Sequence, residues 1–160
     1  MIKNWCYKIF LLFLVISLIS CNKSKESTLN ITHTENGLTF NNVFVVLWDD
    51  TLKDNFITLD STAEMQFMGT TGFKITDGKA FVGASMSVAD STGAVLFKNE
   101  DLFIDYDTIG FDSALVSERI GIFIETGHPM VKGGIYKWCS KIWDKKGTGE
   151  INAELLIKMK

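Results

Sequence analysis

The chain has 160 residues, with 16 lysines and arginines against 19 aspartates and glutamates, a formal charge of −3 and a hydrophobic fraction of 46%. That acidic balance supplies no basic face for nucleic acid. Three cysteines are too few for a disulfide-stapled scaffold.

In chain order, the first segment is "MIKNWCYK", carrying Lys3 and Lys8, followed by the apolar run "IFLLFLVISLIS" up to Ser20 and then Cys21. Twelve apolar or small residues fall short of the roughly 18–20 that cross a bilayer as a helix. They fit the core of a signal peptide behind a basic start. Leu18-Ile19-Ser20-Cys21 resembles the lipobox of bacterial lipoproteins, whereas a plain secretory signal is the alternative reading of the same residues. The resemblance implies cleavage between Ser20 and Cys21, a diacylglyceryl group on the Cys21 thiol, and acylation of the new amine by fatty acids such as palmitate. Each buried methylene contributes about 0.8 kcal/mol, so two or three acyl chains on one residue form a stable membrane anchor. Asn22, where enteric lipoproteins retained at the inner membrane carry aspartate, implies delivery to the outer membrane, on its periplasmic or its outer face.

Cleavage would remove Lys3 and Lys8 and no acid, so the formal charge becomes −5 over the remaining 140 residues. Cys6 would leave with the signal and Cys21 would be lipidated, leaving Cys139 without a disulfide partner in the mature chain. Residues 21–36 then comprise the lipidated cysteine and "NKSKESTLNITHTEN", a polar stretch without periodicity or aromatic residues. It is expected to act as a flexible tether with a reach of about 20 Å.

Residues 37–160 suit one domain. Their dominant period is two, which predicts strands. Val82, Ala84, Met86 and Val88 share one face, as do Ile120, Ile122 and Ile124, and again Ile151, Ala153, Leu155, Ile157 and Met159. Asp77-Gly78 is a strong hairpin signal. Asp90 to Gly93 and Asp144 to Gly147 repeat a turn in which aspartate caps and glycine supplies positive φ. Eight or nine strands are expected near 43–49, 54–60, 64–69, 72–76, 80–89, 94–98, 102–106, 116–126, 134–143 and 150–159, some merging, with a short helical turn possible within 99–118. The fold class is all-β, a two-sheet antiparallel β-sandwich, immunoglobulin-like or C2-like in outline. A small barrel is the alternative.

The strand "GGIYKWCSKIW" directs Tyr136, Trp138, Ser140 and Ile142 to one face and Ile135, Lys137, Cys139, Lys141 and Trp143 to the other. The lysines mark the second face as exposed, so Trp143 with Lys137 and Lys141 forms a candidate ligand surface, its indole able to stack on a sugar or a partner protein. Cys139 lies between two lysines whose charge would favour its thiolate, but no histidine is placed to act as its base, so an inert, half-covered thiol is the expectation. Asp49, Asp50 and Asp54 crowd one turn and Asp105 and Asp107 share a strand face, a weak candidate set for Ca2+ of the C2 type. Five of eleven aspartates begin triplets resembling the Asp-Ser/Thr acceptor motif of an O-glycosylation system in some Gram-negative envelopes, which would modify Thr51, Ser61, Ser91, Thr108 and Ser113. Turn chemistry also favours Asp-Ser and Asp-Thr.

No nucleophile elbow, phosphate loop or metalloprotease helix occurs in the sequence. The expected function is a lipid-anchored, non-enzymatic binding or structural module of the cell envelope with no resident cofactor, its partner an envelope protein or glycan. A calcium- or carbohydrate-binding module is the alternative. An envelope hydrolase using carboxylates such as Asp105 and Asp107 is the second alternative.

Overall fold

The computed structural model describes residues 29–160. The proposed cleavage and lipidation at Ser20 and Cys21 lie outside the described residues. The strands in chain order are β1 (Thr32–Asn36), β2 (Asn42–Leu47), β3 (Asp50–Thr51), β4 (Phe56–Ile57), β5 (Thr62–Met68), β6 (Lys79–Ala80), β7 (Val82–Asp90) and β8 (Val95–Asn99). After a 3-10 turn at Ile104–Tyr106 come β9 (Phe111–Asp112), helix α1 (Ser113–Glu118), β10 (Arg119–Glu125), β11 (Ile135–Asp144) and β12 (Glu150–Met159).

Two sheets carry the fold. The first has the order β1-β12-β11-β7-β8, with β4 added parallel to β12. The second has the order β10-β5-β2-β3. The pair β6-β9 lies apart as a two-stranded ladder. This is the expected all-β sandwich, with open sheets rather than a closed barrel. The inward residues fuse into one core: Trp138, Ile142, Ile151, Ile157 and Val88 from the first sheet, and Val45, Met65, Phe67, Ile122 and Ile124 from the second. Period-two reading of β7, β11 and β12 therefore assigned the buried face correctly, Met86 being only partly covered.

Three expectations change. Residues 32–36, read as the end of a tether, form β1 and pair in register with β12 from Thr32–Glu154 to Asn36–Glu150. All five are exposed, so this edge strand is held by its backbone and leaves no apolar period in the sequence. The strand expected at 102–106 is instead a 3-10 turn. Asp101 accepts the Phe103 N–H at 3.0 Å and Phe103 O accepts the Tyr106 N–H at 3.0 Å, which curls the backbone locally. Residues 72–76 form no ladder: Thr71 bridges to Thr39 and Thr76 to Lys79, with irregular chain between. The helical turn allowed within 99–118 is realised twice, at Ile104–Tyr106 and in α1, where the Asp112 carboxylate accepts the Ala114 N–H at 2.9 Å.

The turns follow their residues. Asp77 and Gly78 both have positive φ, 50° and 73°, the type I′ pattern, and Thr76 and Lys79 exchange two bonds of 2.9 Å across them. Asp90 Oδ1 accepts N–H groups from Thr92 at 2.8 Å and Ala94 at 3.0 Å, with Gly93 at φ 89°. At Asp144 the carboxylate accepts the Lys146 N–H at 2.9 Å and, from across the sandwich, the Lys74 N–H at 2.6 Å. Gly147 is needed there for space: a Cβ would lie 2.3 Å from Asp144 Oδ2.

Just beyond β11, Lys145 reaches back to the 101–107 segment, bonding Asp101 at 2.6 Å, Asp107, and the Phe103 carbonyl at 3.3 Å. Its side chain is only 14% exposed. Burial opposes its charge, but the hydrogen bonds to the two aspartates outweigh burial and hold the ammonium above the usual lysine range. The same bonds, again against burial, hold Asp101 below the usual carboxylate range. Lys145→Met is expected to lower unfolding stability by about 1.5–3 kcal/mol near neutral pH, measured by urea denaturation. Asp101 is depressed, so its contribution is complete above the ordinary aspartate pKa of about 3.9 and is lost as pH falls through the folded value. Lys145 is raised, so its contribution is complete below about pH 10.4 and is lost as pH rises through the folded value. The wild-type advantage should therefore be flat between those limits and shrink on both sides.

Candidate ligand-binding face

β11 is hydrogen-bonded on both sides, to β12 and to β7, so its outward residues occupy the middle of the first sheet. The register sets rows across the face. Cys139 lies between Glu154 of β12 and Ser87 of β7, Lys141 between Asn152 and Ser85, and Trp143 between Glu150 and Gly83. The three residues expected to form a ligand surface, Trp143, Lys137 and Lys141, thus do share one face. What the sequence did not show is that β7 contributes only small residues beside them.

Trp143 uses that space directly. A Cβ on Gly83 would lie 2.0 Å from Trp143 Cε2 and 2.4 Å from both Cζ2 and Nε1, the atoms bonded to Cε2 on either side. A point in the ring plane beside Cε2 would be at least as close to those neighbours as to Cε2 itself. The geometry places the indole face-down on the Gly83 backbone, with its opposite face turned outward. The residue is half-buried, not the freely exposed aromatic its position at the strand end suggested.

The indole lines a cavity of about 410 Å³, whose other walls include Ser85, Glu100, Lys141, Thr148 and Glu150. A second, of about 220 Å³, continues from it past Ser87, Lys98, Cys139 and Asn152; the two share Ser85 and Lys141. Three ion pairs stand in or beside this groove, and the Asp144 carboxylate that also lines it is bonded to backbone N–H groups. Lys141 meets Glu150 at 2.6 Å, Lys137 meets Glu154 at 3.0 Å, and Lys98 meets Glu100 at 2.5 Å. The bond from Lys141, helped by Asn152, holds the Glu150 carboxyl below its ordinary range, and Glu154 raises Lys137. A larger cavity, of about 570 Å³, lies at the sheet edge around Leu29, Asn55 and Leu156, but no aromatic ring lines it.

Cys139 is a half-buried free thiol, in keeping with the inert thiol expected. Burial and then the charge of Glu154 push its thiol above the ordinary range, outweighing Lys137 and a hydrogen bond with Ser87. The flanking lysines are turned to glutamates and do not create a thiolate.

The other candidates disperse. Asp49, Asp50 and Asp54 are exposed, Asp105 is exposed on the 3-10 turn, and Asp107 is engaged by Lys145. Among the described residues no three His, Cys, Asp or Glu side chains gather into a group that could hold a metal, so the carboxylates do not converge as calcium would require. Of the five hydroxyls in acceptor-like triplets, Thr51, Ser91 and Thr108 are exposed and Ser113 is half-buried at the start of α1. Ser61 is only 7% exposed and donates its hydroxyl to Thr58 O at 2.6 Å, so it is closed to a modifying enzyme.

A second surface escaped the sequence reading. On the outer side of the second sheet, Phe44, Val46 and Met68 are half-covered, Phe123 is 55% exposed, and Trp48 beyond the end of β2 is 67% exposed. The run Val43-Phe44-Val45-Val46-Leu47 was its signal, because a strand apolar on both faces needs something beyond the core on its outer side.

No family model matches the sequence, and no curated protein is significantly similar to it. Among solved structures, the fold resembles the crystal structure of the C-terminal domain of wzt, with a TM-score of 0.55 at 7% identity, over 82% of this chain and 78% of that one. At that identity the likeness concerns the β-sandwich fold alone.

Two outcomes follow from this geometry. Gly83→Val should force the indole off the sheet, lowering stability by about 1–3 kcal/mol and shifting tryptophan emission to longer wavelength. Unchanged emission would show that the ring does not rest on Gly83. Cys139 should alkylate more slowly than free cysteine at neutral pH, and Glu154→Gln should speed the reaction by removing the charge that opposes the thiolate. Iodoacetamide rates across a pH series would read both.

Proposed function

We propose that the protein is a lipid-anchored, non-enzymatic module of the cell envelope that binds a glycan on the outer face of its first sheet. The observation that carries the binding reading is Trp143, an indole laid flat on Gly83 with its free face over a groove. A flat aromatic face is the surface on which the apolar face of a sugar ring packs, and hydroxyl and amide groups beside it suit the ring's polar edge. Ser85, Ser87, Asn152 and Thr148 supply such groups along the groove. The first-sheet face carries this arrangement of flat indole and neighbouring hydroxyls beside a cavity.

The envelope location rests on the lipobox-like Leu18-Ile19-Ser20-Cys21 behind its basic, apolar leader. Since β1 begins at Thr32, the stretch between the anchor and the sheet would be shorter than its composition suggested. The domain would then sit close to the bilayer, where envelope glycans are concentrated.

Two experiments test the two parts. Titrating a panel of envelope polysaccharides should quench tryptophan emission for at least one of them, and Trp143→Ala should weaken that binding at least tenfold, about 1.4 kcal/mol, without changing the circular dichroism. Full binding by the variant would remove Trp143 from the site. Cys21→Ser should abolish labelling by a palmitate analogue and move the protein from the membrane pellet to the soluble fraction. Persistence in the pellet without label would overturn the lipid anchor.

A further inference from the structure

We propose that the groove takes a short, linear, uncharged oligosaccharide laid along β7, in preference to a single sugar or an anionic polymer; this rests on reading the face as a glycan site. The floor is made by the small outward residues Ser85 and Ser87 of β7, continuing from the point where the Trp143 indole covers Gly83. Trp143, Lys141 and Cys139 form the β11 side, and Lys98 with Glu100 the β8 side. From Gly83 to Ser87 the strand advances about 13 Å at roughly 3.3 Å per residue, room for two or three sugar rings end to end. One ring stacks on Trp143, and the chain continues over the Ser85 and Ser87 hydroxyls, which lie on the same face at every second position.

The charges argue for neutrality. Lys98, Lys137 and Lys141 are matched by Glu100, Glu154 and Glu150 at 2.5, 3.0 and 2.6 Å. A polyanion would have to break these pairs to reach an ammonium group and would meet their carboxylates beside it. A neutral chain uses the paired groups as they stand, donating hydroxyls to the glutamates and accepting from the lysines.

The test is calorimetry on the full-length protein in detergent micelles. The probes are mono-, di-, tri- and hexasaccharides of neutral glucose, mannose and N-acetylglucosamine series, with uronic acid oligomers of the same lengths. The expected result is affinity for at least one neutral series that rises at least tenfold from monosaccharide to trisaccharide, then levels off, and is insensitive to salt. Ser85→Leu, which fills the floor, should erase the gain from chain length. Equal affinity for mono- and trisaccharide, or tighter salt-sensitive binding of the uronic series, would overturn the inference and leave the glycan face standing. Binding by none of the series would overturn both.

Discussion

The register of β11 is the constraint on which both the core and the groove depend. Its ten residues are paired throughout with β12 and β7, so each side chain has a fixed face. A slip of one residue would drive Lys137 and Lys141 into the sandwich and turn Trp138, fully buried in the core, to water. Side-chain bonds to backbone fix both ends of the strand. At its start the Tyr136 hydroxyl accepts the Val131 N–H at 2.8 Å, and at its end the Asp144 carboxylate accepts N–H groups from Lys74 and Lys146. The position of Trp143, one residue before Asp144, is therefore set by a buried carboxylate that belongs to the core side of the same strand.

The two outer faces of the sandwich differ in kind. On the first sheet, lysines and glutamates face each other across neighbouring strands and satisfy one another around the Trp143 indole. On the second, Glu64 lies across Gly121, where a Cβ would be 1.8 Å from its Oε1, and accepts from Gln66 at 2.6 Å, while Arg119 stands 3.8 Å away. Phe44, Val46 and Phe123 surround this polar line with hydrocarbon. Small residues thus do the same service on both sheets, opening room for a larger side chain to lie flat. On the first, that arrangement lines a groove.

Most of the fold was legible because the long strands β7, β11 and β12 each bury one face, and burial on one face writes a period of two into the sequence. The elements that were misread bury no alternating face of their own. β1 is exposed throughout and is held by backbone pairing, which any polar stretch with β-branched threonines can supply. The 3-10 turn follows from Asp101 and its bond to a local N–H, a choice that apolar periodicity cannot report. For the site, alternation along β11 was enough to bring Trp143, Lys137 and Lys141 onto one face. It could not reveal the pairing of each lysine with a glutamate, because those partners come from β12 through a register that one strand does not encode. The same register sets Glu154 beside Cys139, where its charge opposes the thiolate.

The composition of β7 has a physical consequence of its own. Glycine and serine are poor strand formers, and a glycine inside a strand costs roughly 0.5–1 kcal/mol relative to alanine. On an outward face with no role, threonine or valine would hold the ladder better and clash with nothing in the core. Here Gly83, Ser85 and Ser87 occupy three successive outward positions of a strand paired along its whole length with β11 and, from Met86, with β8 as well. A threonine or valine at 83 would meet the indole, and bulk at 85 or 87 would close the groove. The strand forgoes propensity at the positions where side-chain height would remove open space above the sheet. Open space beside a flat indole has no structural value of its own, so its presence argues that something is meant to fill it.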